Sequence, residues 1–154
     1  MSSWLYRLIN PPVKALLRSP LHGLMSGNTL LLDFVGRKSG RALSTPISYH
    51  VENGAAHCFT SRSFGWWRNL TVPRHVQLTV RGKRWQSVPQ VEVEDHELMV
   101  TRLAAFLAAV PRDAAHAGVT LDEQGIPDPA DMRRVIPDMV YLKFPLEENN
   151  GKAI

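Results

Sequence analysis

The stretch from Ala42 to Ser61 constrains the fold more than any other. Leu43, Thr45, Ile47, Tyr49 and Val51 occupy alternate positions, the period of a strand with one buried face. Asn53-Gly54 follows, and both residue types tolerate the positive φ that a tight hairpin turn requires. The chain then returns through Ala55 to Ser61. Related patterns recur on either side. Asn28 to Val35 is an apolar run suited to a strand buried on both faces, while Val76, Leu78 and Val80 alternate with Gln77, Thr79 and Arg81. Gly82-Lys83 offers a second tight turn, with a return through Trp85, Val91 and Val93, and Met139 to Phe144 reads as the last strand. The pattern predicts about six strands, mostly antiparallel, and such a sheet removes its edges by curling into a small barrel.

Helical signals flank these strands. Residues 3–27 read as short helices punctuated by proline, with Asn10 capping a helix that has Pro11 at its first position. Asp95 is the expected N-cap of a longer helix whose apolar face is Met99, Leu103, Phe106, Leu107 and Val110, ended by Pro111. Residues 112–130 read as irregular, with a short helical turn near Met132. With 154 residues and no evident linker or repeat, the expectation is one α+β domain spanning residues 1–154.

Charge is distributed unevenly. Residues 1–90 carry twelve Lys and Arg against Asp33 and Glu52, whereas residues 91–154 carry six against twelve acids. A basic half on an ordinary domain points to an anionic partner. The single cysteine, Cys58, excludes an internal disulfide and a cysteine-rich zinc site, and its place in a strand suits a buried small residue. The longest apolar run, Leu103 to Val110, is far below the ~20 residues of a membrane span. No signal peptide is evident at the N-terminus, so a cytoplasmic location is expected. Membrane association through Trp4, Leu5 and Leu8 is the variant of that expectation.

Two segments carry candidate chemistry. Gly36-Arg37-Lys38-Ser39-Gly40-Arg41 lies between two strands; its consecutive N–H groups, three cations and hydroxyl suit a phosphate or carboxylate. Ser61-Arg62-Ser63-Phe64-Gly65-Trp66-Trp67-Arg68-Asn69-Leu70 sets two tryptophans beside arginines, a combination able to stack on an aromatic ring system and hold its anionic tail. His50 and His57 face one another across the hairpin without a third metal ligand, so no metal site is expected.

Gly36-Arg37-Lys38-Ser39-Gly40 followed by Thr45-Pro46-Ile47, then Trp66-Trp67-Arg68-Asn69-Leu70, then Arg134-Val135-Ile136-Pro137, resembles the ordered signature of the deazaflavin-dependent nitroreductase family. The resemblance covers about residues 20–145. It implies a split β-barrel of the kind found in FMN-binding proteins and pyridoxamine oxidases, here six-stranded with flanking helices. It also implies the 8-hydroxy-5-deazaflavin coenzyme F420 as cofactor, with FMN as the alternative. By position, Arg37, Lys38 and Ser39 would hold the phosphate and acidic tail, and Thr45 and Pro46 would line the cofactor groove. Ser61 and Arg62 stand at the family's Ser-Lys position, and Trp66, Trp67 and Asn69 would flank the ring or its ribityl chain.

Departures from the family pattern are specific. Leu43 stands where the family usually has an arginine, for which Arg41 is the substitute, and Ala114-Ala115-His116 replaces tyrosines that often cover the substrate. His116 is then the candidate proton donor, because imidazole titrates near neutrality. The implied activity is hydride transfer from the reduced deazaflavin to a small quinone- or nitroaromatic-type acceptor. Related barrels often build such sites between two copies, so a homodimer is expected. Two other classes are consistent with the residues alone. One is a non-catalytic barrel carrying FMN, haem, another tetrapyrrole or a lipid. The other is single-stranded nucleic-acid binding in a basic groove with stacking aromatics, formed by Trp66, Trp67, Arg68, Arg81 and Arg84, although no nucleic-acid partner is expected on the main reading.

Overall fold

The computed structural model describes residues 28–147. The expected N-terminal helices, with Trp4, Leu5 and Leu8, lie outside the described residues. Eight strands form two antiparallel four-stranded sheets. In chain order they are β1 (Thr29–Val35), β2 (Ala42–Ser48), β3 (His50–Glu52), β4 (Ala55–Ser61), β5 (Val76–Val80), β6 (Lys83–Ser87), β7 (Gln90–Glu92) and β8 (Met139–Pro145). One sheet runs β2-β1-β5-β6 and the other β3-β4-β8-β7.

The α+β class is as expected, but the count of six strands is not. Two of the long strands read from the sequence each break in two where the chain passes from one sheet to the other. At the first break the N–H of Tyr49 turns away to the carbonyl of Asn28, 2.9 Å away. The alternation read from Leu43 to Val51 therefore ends at Tyr49, and Val51 is half exposed. At the second break Val88-Pro89 separates β6 from β7, and proline has no N–H with which to continue a ladder.

The two sheets share one interior. Leu30, Leu32 and Phe34 of β1 meet Cys58 of β4, Leu78 of β5 and Val140, Leu142 and Phe144 of β8, all buried. Burial raises the Cys58 thiol pKa well above its ordinary value, which makes it a core side chain rather than a nucleophile. Asn53 and Gly54 adopt φ of 52° and 72°, the two-residue turn expected. The next hairpin differs by one residue. Val80 pairs with Lys83, so the turn is Arg81-Gly82, with φ of 50° and 81°, rather than Gly82-Lys83.

A second core lies outside the barrel wall. Helix α1 (His96–Ala109) begins at Asp95, whose carboxylate accepts from the Leu98 N–H, and buries Met99, Leu103, Phe106 and Leu107 against Phe59 and Tyr141. Residues 112–130 are less irregular than expected. They include α2 (Asp113–Ala117), stopped by Gly118 at φ 80°, and the start of α3 (Pro129–Val135). A 3-10 turn, Ile136–Asp138, leads from α3 into β8.

Candidate functional site

The turn between β1 and β2 is held by its own backbone. The Gly36 N–H donates to the Arg41 carbonyl and the Gly40 N–H to the Gly36 carbonyl, both at 2.9 Å. Ser39 Oγ accepts the Arg41 N–H at 3.2 Å. Gly40 sits at φ 69°, and a Cβ on Gly36 would lie 2.5 Å from Ser39 Oγ, so glycine suits both ends. The Arg37 N–H is also used, donating to Oδ1 of Asn69 at 2.9 Å. A full nest of free N–H groups, as the sequence suggested, is therefore not what the turn offers. The resource it does present is charge: Arg37, Lys38 and Arg41 are exposed and form no ion pair among the described residues.

Residues 62–71 connect this turn to the other sheet. Gly65–Thr71 is a 3-10 helix, an element absent from the sequence reading. Trp67 is buried, its indole N–H donating to the Arg62 carbonyl at 3.0 Å and its ring covered by the Arg68 guanidinium at 4.7 Å. Trp66 is half buried, 5.9 Å from Phe34 between ring centres. The pair therefore does not form the exposed stacking platform that a nucleic-acid reading needs. Asn69 spends both ends of its amide within the protein, since Nδ2 donates to the Trp66 carbonyl at 2.9 Å while Oδ1 holds Arg37. Arg62 is exposed; its N–H donates to the Asp138 carbonyl at 2.8 Å and its guanidinium to the Pro137 carbonyl at 3.4 Å.

A cavity of about 440 Å³ opens between the barrel wall and the helices. Strand alternation supplies one wall: Thr45 and Ile47 point inward and are buried, which turns Pro46 and Ser48 outward. Phe59 and Ser61 do the same on β4, while Leu103, Phe106 and Leu107 of α1 form the apolar wall opposite. His116 of α2 is exposed and lines the cavity, as does Arg112. Arg112 donates to Thr29 Oγ1 at 3.0 Å, a link from the start of β1 to the helical layer.

Of the residues singled out in the sequence, Pro46, Ser61 and His116 thus meet at the cavity. Arg37, Lys38, Ser39 and Arg41 gather beyond the far end of β2, whose first residue, Ala42, is about 13 Å from Pro46 at the rise of a strand. Arg62, Trp66, Trp67 and Asn69 lie in the connection between these places, and Thr45 faces the interior. Arg134 of the Arg-Val-Ile-Pro segment clamps a loop, donating at 3.0 Å to the Gly118 carbonyl and to Asp131. The Thr120 N–H bond and Arg134 together lower the Asp131 pKa.

One buried pair had no local signal in the sequence. His57 Nδ1 and the Tyr141 hydroxyl lie 2.7 Å apart, joining β4 to β8. The rings of Tyr141 and Phe59 are 5.3 Å apart, and Phe59 meets Phe106 at 5.7 Å. The pair therefore stands behind two aromatic walls of the cavity. Among the described residues no group of three or more His, Cys, Asp or Glu is placed to hold a metal ion, and no helix is long and apolar enough to cross a membrane.

Comparison with solved structures finds the same fold at low sequence identity. A pyridoxamine 5'-phosphate oxidase-related, FMN-binding protein from Nostoc punctiforme matches with a TM-score of 0.56 and 16% identity, over 94% of this chain and 88% of that one. A protein from Bacteroides thetaiotaomicron, described as a candidate for 5-nitroimidazole antibiotic resistance, matches with a TM-score of 0.56 and 9% identity, over 92% and 82%. A structure described as a domain-swapped dimer matches with a TM-score of 0.51 and 15% identity, over 88% and 94%. No curated protein matches the chain. The sequence model of a family described as F420H(2)-dependent quinone reductase matches residues 16–116, a span holding the cationic turn, the Trp66–Asn69 segment, α1 and His116. That match covers well over half of the 154 residues, and the chain belongs to the F420H(2)-dependent quinone reductase family, whose members are deazaflavin-dependent oxidoreductases.

Proposed function

We propose that the anionic end of the coenzyme docks on the Arg37-Lys38-Ser39 turn, and that the acceptor enters the cavity beside Pro46, Ser61 and His116. The observation that carries this reading is the cationic turn. Its three exposed side chains have no acid to neutralise them among the described residues, and a single strand, β2, joins the turn to the cavity. That donor set fits a ligand with a phosphate and carboxylates at one end and a flat ring at the other.

When bound, the reduced coenzyme supplies a hydride to an electrophilic acceptor. The chain's own work is to bind and orient. Arg37, Lys38 and Arg41 hold negative charge at the rim, where salt weakens the attraction. Pro46, Phe59 and Phe106 exclude water from a flat acceptor, and Ser48 and Ser61 offer hydroxyl donors to its oxygens. His116, on the same cavity, delivers the proton that completes reduction of a quinone to a hydroquinone. Nitroaromatic compounds are acceptors of the same shape and polarity.

The reading is tested by titrating the purified protein with F420, FMN and haem, following cofactor fluorescence or absorbance, and then by offering quinones and nitroaromatics to the loaded protein. Micromolar binding of the deazaflavin followed by quinone-dependent oxidation of F420H(2) is the expected result. Binding of FMN or haem alone would transfer the chain to a carrier role.

A further inference from the structure

We infer that Asn69 is a positioning residue, setting the Arg37-Lys38-Ser39 turn for the coenzyme's anionic end through its bond to the Arg37 backbone. The inference rests on the proposed docking of that end at this turn. Both ends of the Asn69 amide are engaged within the protein, each by one hydrogen bond. Oδ1 accepts the Arg37 N–H at 2.9 Å, across 32 residues of sequence, and Nδ2 donates to the Trp66 carbonyl at 2.9 Å. The second bond fixes the amide's orientation, because a flipped amide would present NH2 to the Arg37 N–H. The remaining bonds in the turn are internal to it, from Gly36 to Arg41. Asn69 is thus the side chain that ties the cationic turn to the 3-10 helix and, through Trp66, to Phe34 in the barrel core.

The consequence is pre-organisation. An untethered hairpin tip would have to order its backbone when a ligand arrived, and that entropy would come out of the affinity. Held by Asn69, the tip keeps the Arg37 backbone against the 62–69 segment. It also leaves the N–H groups of Lys38 and Ser39 as those in the turn with no bond among the described residues. The effect falls on the charged end of the ligand alone, which separates it from contact with the ring.

The test uses the full chain, with Asn69→Ala and Asn69→Gln, and two probes: F420 and the phosphate-free deazaflavin riboside. Asn69→Ala is expected to weaken F420 about five- to tenfold, the effect of one lost hydrogen bond, and to leave the riboside within about twofold. The Arg37 amide should exchange with solvent faster in the variant. In the Arg37→Ala/Lys38→Ala background, adding Asn69→Ala should cost F420 little more, because its effect runs through those cations. Equal weakening of both probes, or full additivity with the charge variants, would overturn the inference. If Asn69→Ala does not fold, Asn69→Gln decides: it keeps the amide but displaces it by a methylene, and must reproduce the F420-selective loss. If the wild-type chain binds neither probe, the docking reading itself fails, while unchanged Arg37 exchange in the variant would sink the positioning role alone.

Discussion

Tyr141 donates its hydroxyl proton to Nδ1 of His57 across 2.7 Å, in a site where both side chains are nearly completely buried. The direction follows from the other ring nitrogen. Nε2 lies 3.1 Å from the Glu52 carbonyl, which can only accept, so the proton sits on Nε2 and Nδ1 is left to receive. The neutral tautomer is thereby fixed, and both polar groups of the ring are satisfied inside the protein.

Tyr141→Phe is expected to destabilise the fold by about 1–3 kcal/mol, the cost of leaving a buried acceptor without its donor. Urea denaturation monitored by circular dichroism measures it. Because Tyr141 packs on Phe59 behind the cavity, coenzyme affinity should change less than stability does.

Stability should fall as the pH drops below about 6.5. Burial lowers the His57 pKa, with Arg102 and His50 acting in the same direction and Glu52 opposing. The unfolded chain takes up its proton near the ordinary value of 6.5, the folded chain only at lower pH. The folded state is therefore penalised progressively below 6.5 and unaffected above it. Thermal melts of wild type and His57→Gln across pH 5 to 8 should converge at the acid end, as the variant lacks this proton-linked loss. A constant difference between them would show that His57 does not titrate on unfolding.

Replacing Arg37 and Lys38 together by alanine should weaken F420 at least tenfold and flatten its salt dependence, because two exposed rim charges are removed. Isothermal titration at two salt concentrations measures both effects. Unchanged affinity would place the anionic end elsewhere.

His116→Gln should lower turnover with a quinone and remove the alkaline limb of its pH profile, where a proton donor is lost, with F420 affinity unchanged. Steady-state kinetics from pH 5.5 to 8.5 supply the profile. An unaltered profile would assign the proton to solvent.

How much of this protein was legible in its sequence differs from one feature to the next. The hairpin at Asn53-Gly54, the Asp95 cap and the buried face from Met99 to Val110 were legible because each depends on residues within a few positions of one another. The cationic turn was legible for the same reason, and its ordered company with Thr45-Pro46 and Trp66–Asn69 led to the family. The sequence could not show where strands break, since the break at Tyr49 answers to a carbonyl at Asn28, more than twenty positions away.

Tertiary structure decided the division of labour within the site. Only the folded chain shows that Trp67 is a core residue and that Asn69 ties Arg37 to the 3-10 helix. Only the folded chain brings Ser61, Phe106 and His116 to one cavity, or places Tyr141 on His57 across 84 positions. The sequence by itself determined which groups the protein has and the local shapes that present them, because propensity, capping and turn chemistry act over short range. Which of those groups face a ligand and which are consumed in holding the frame depends on contacts between segments distant in sequence, and no local pattern encodes those contacts.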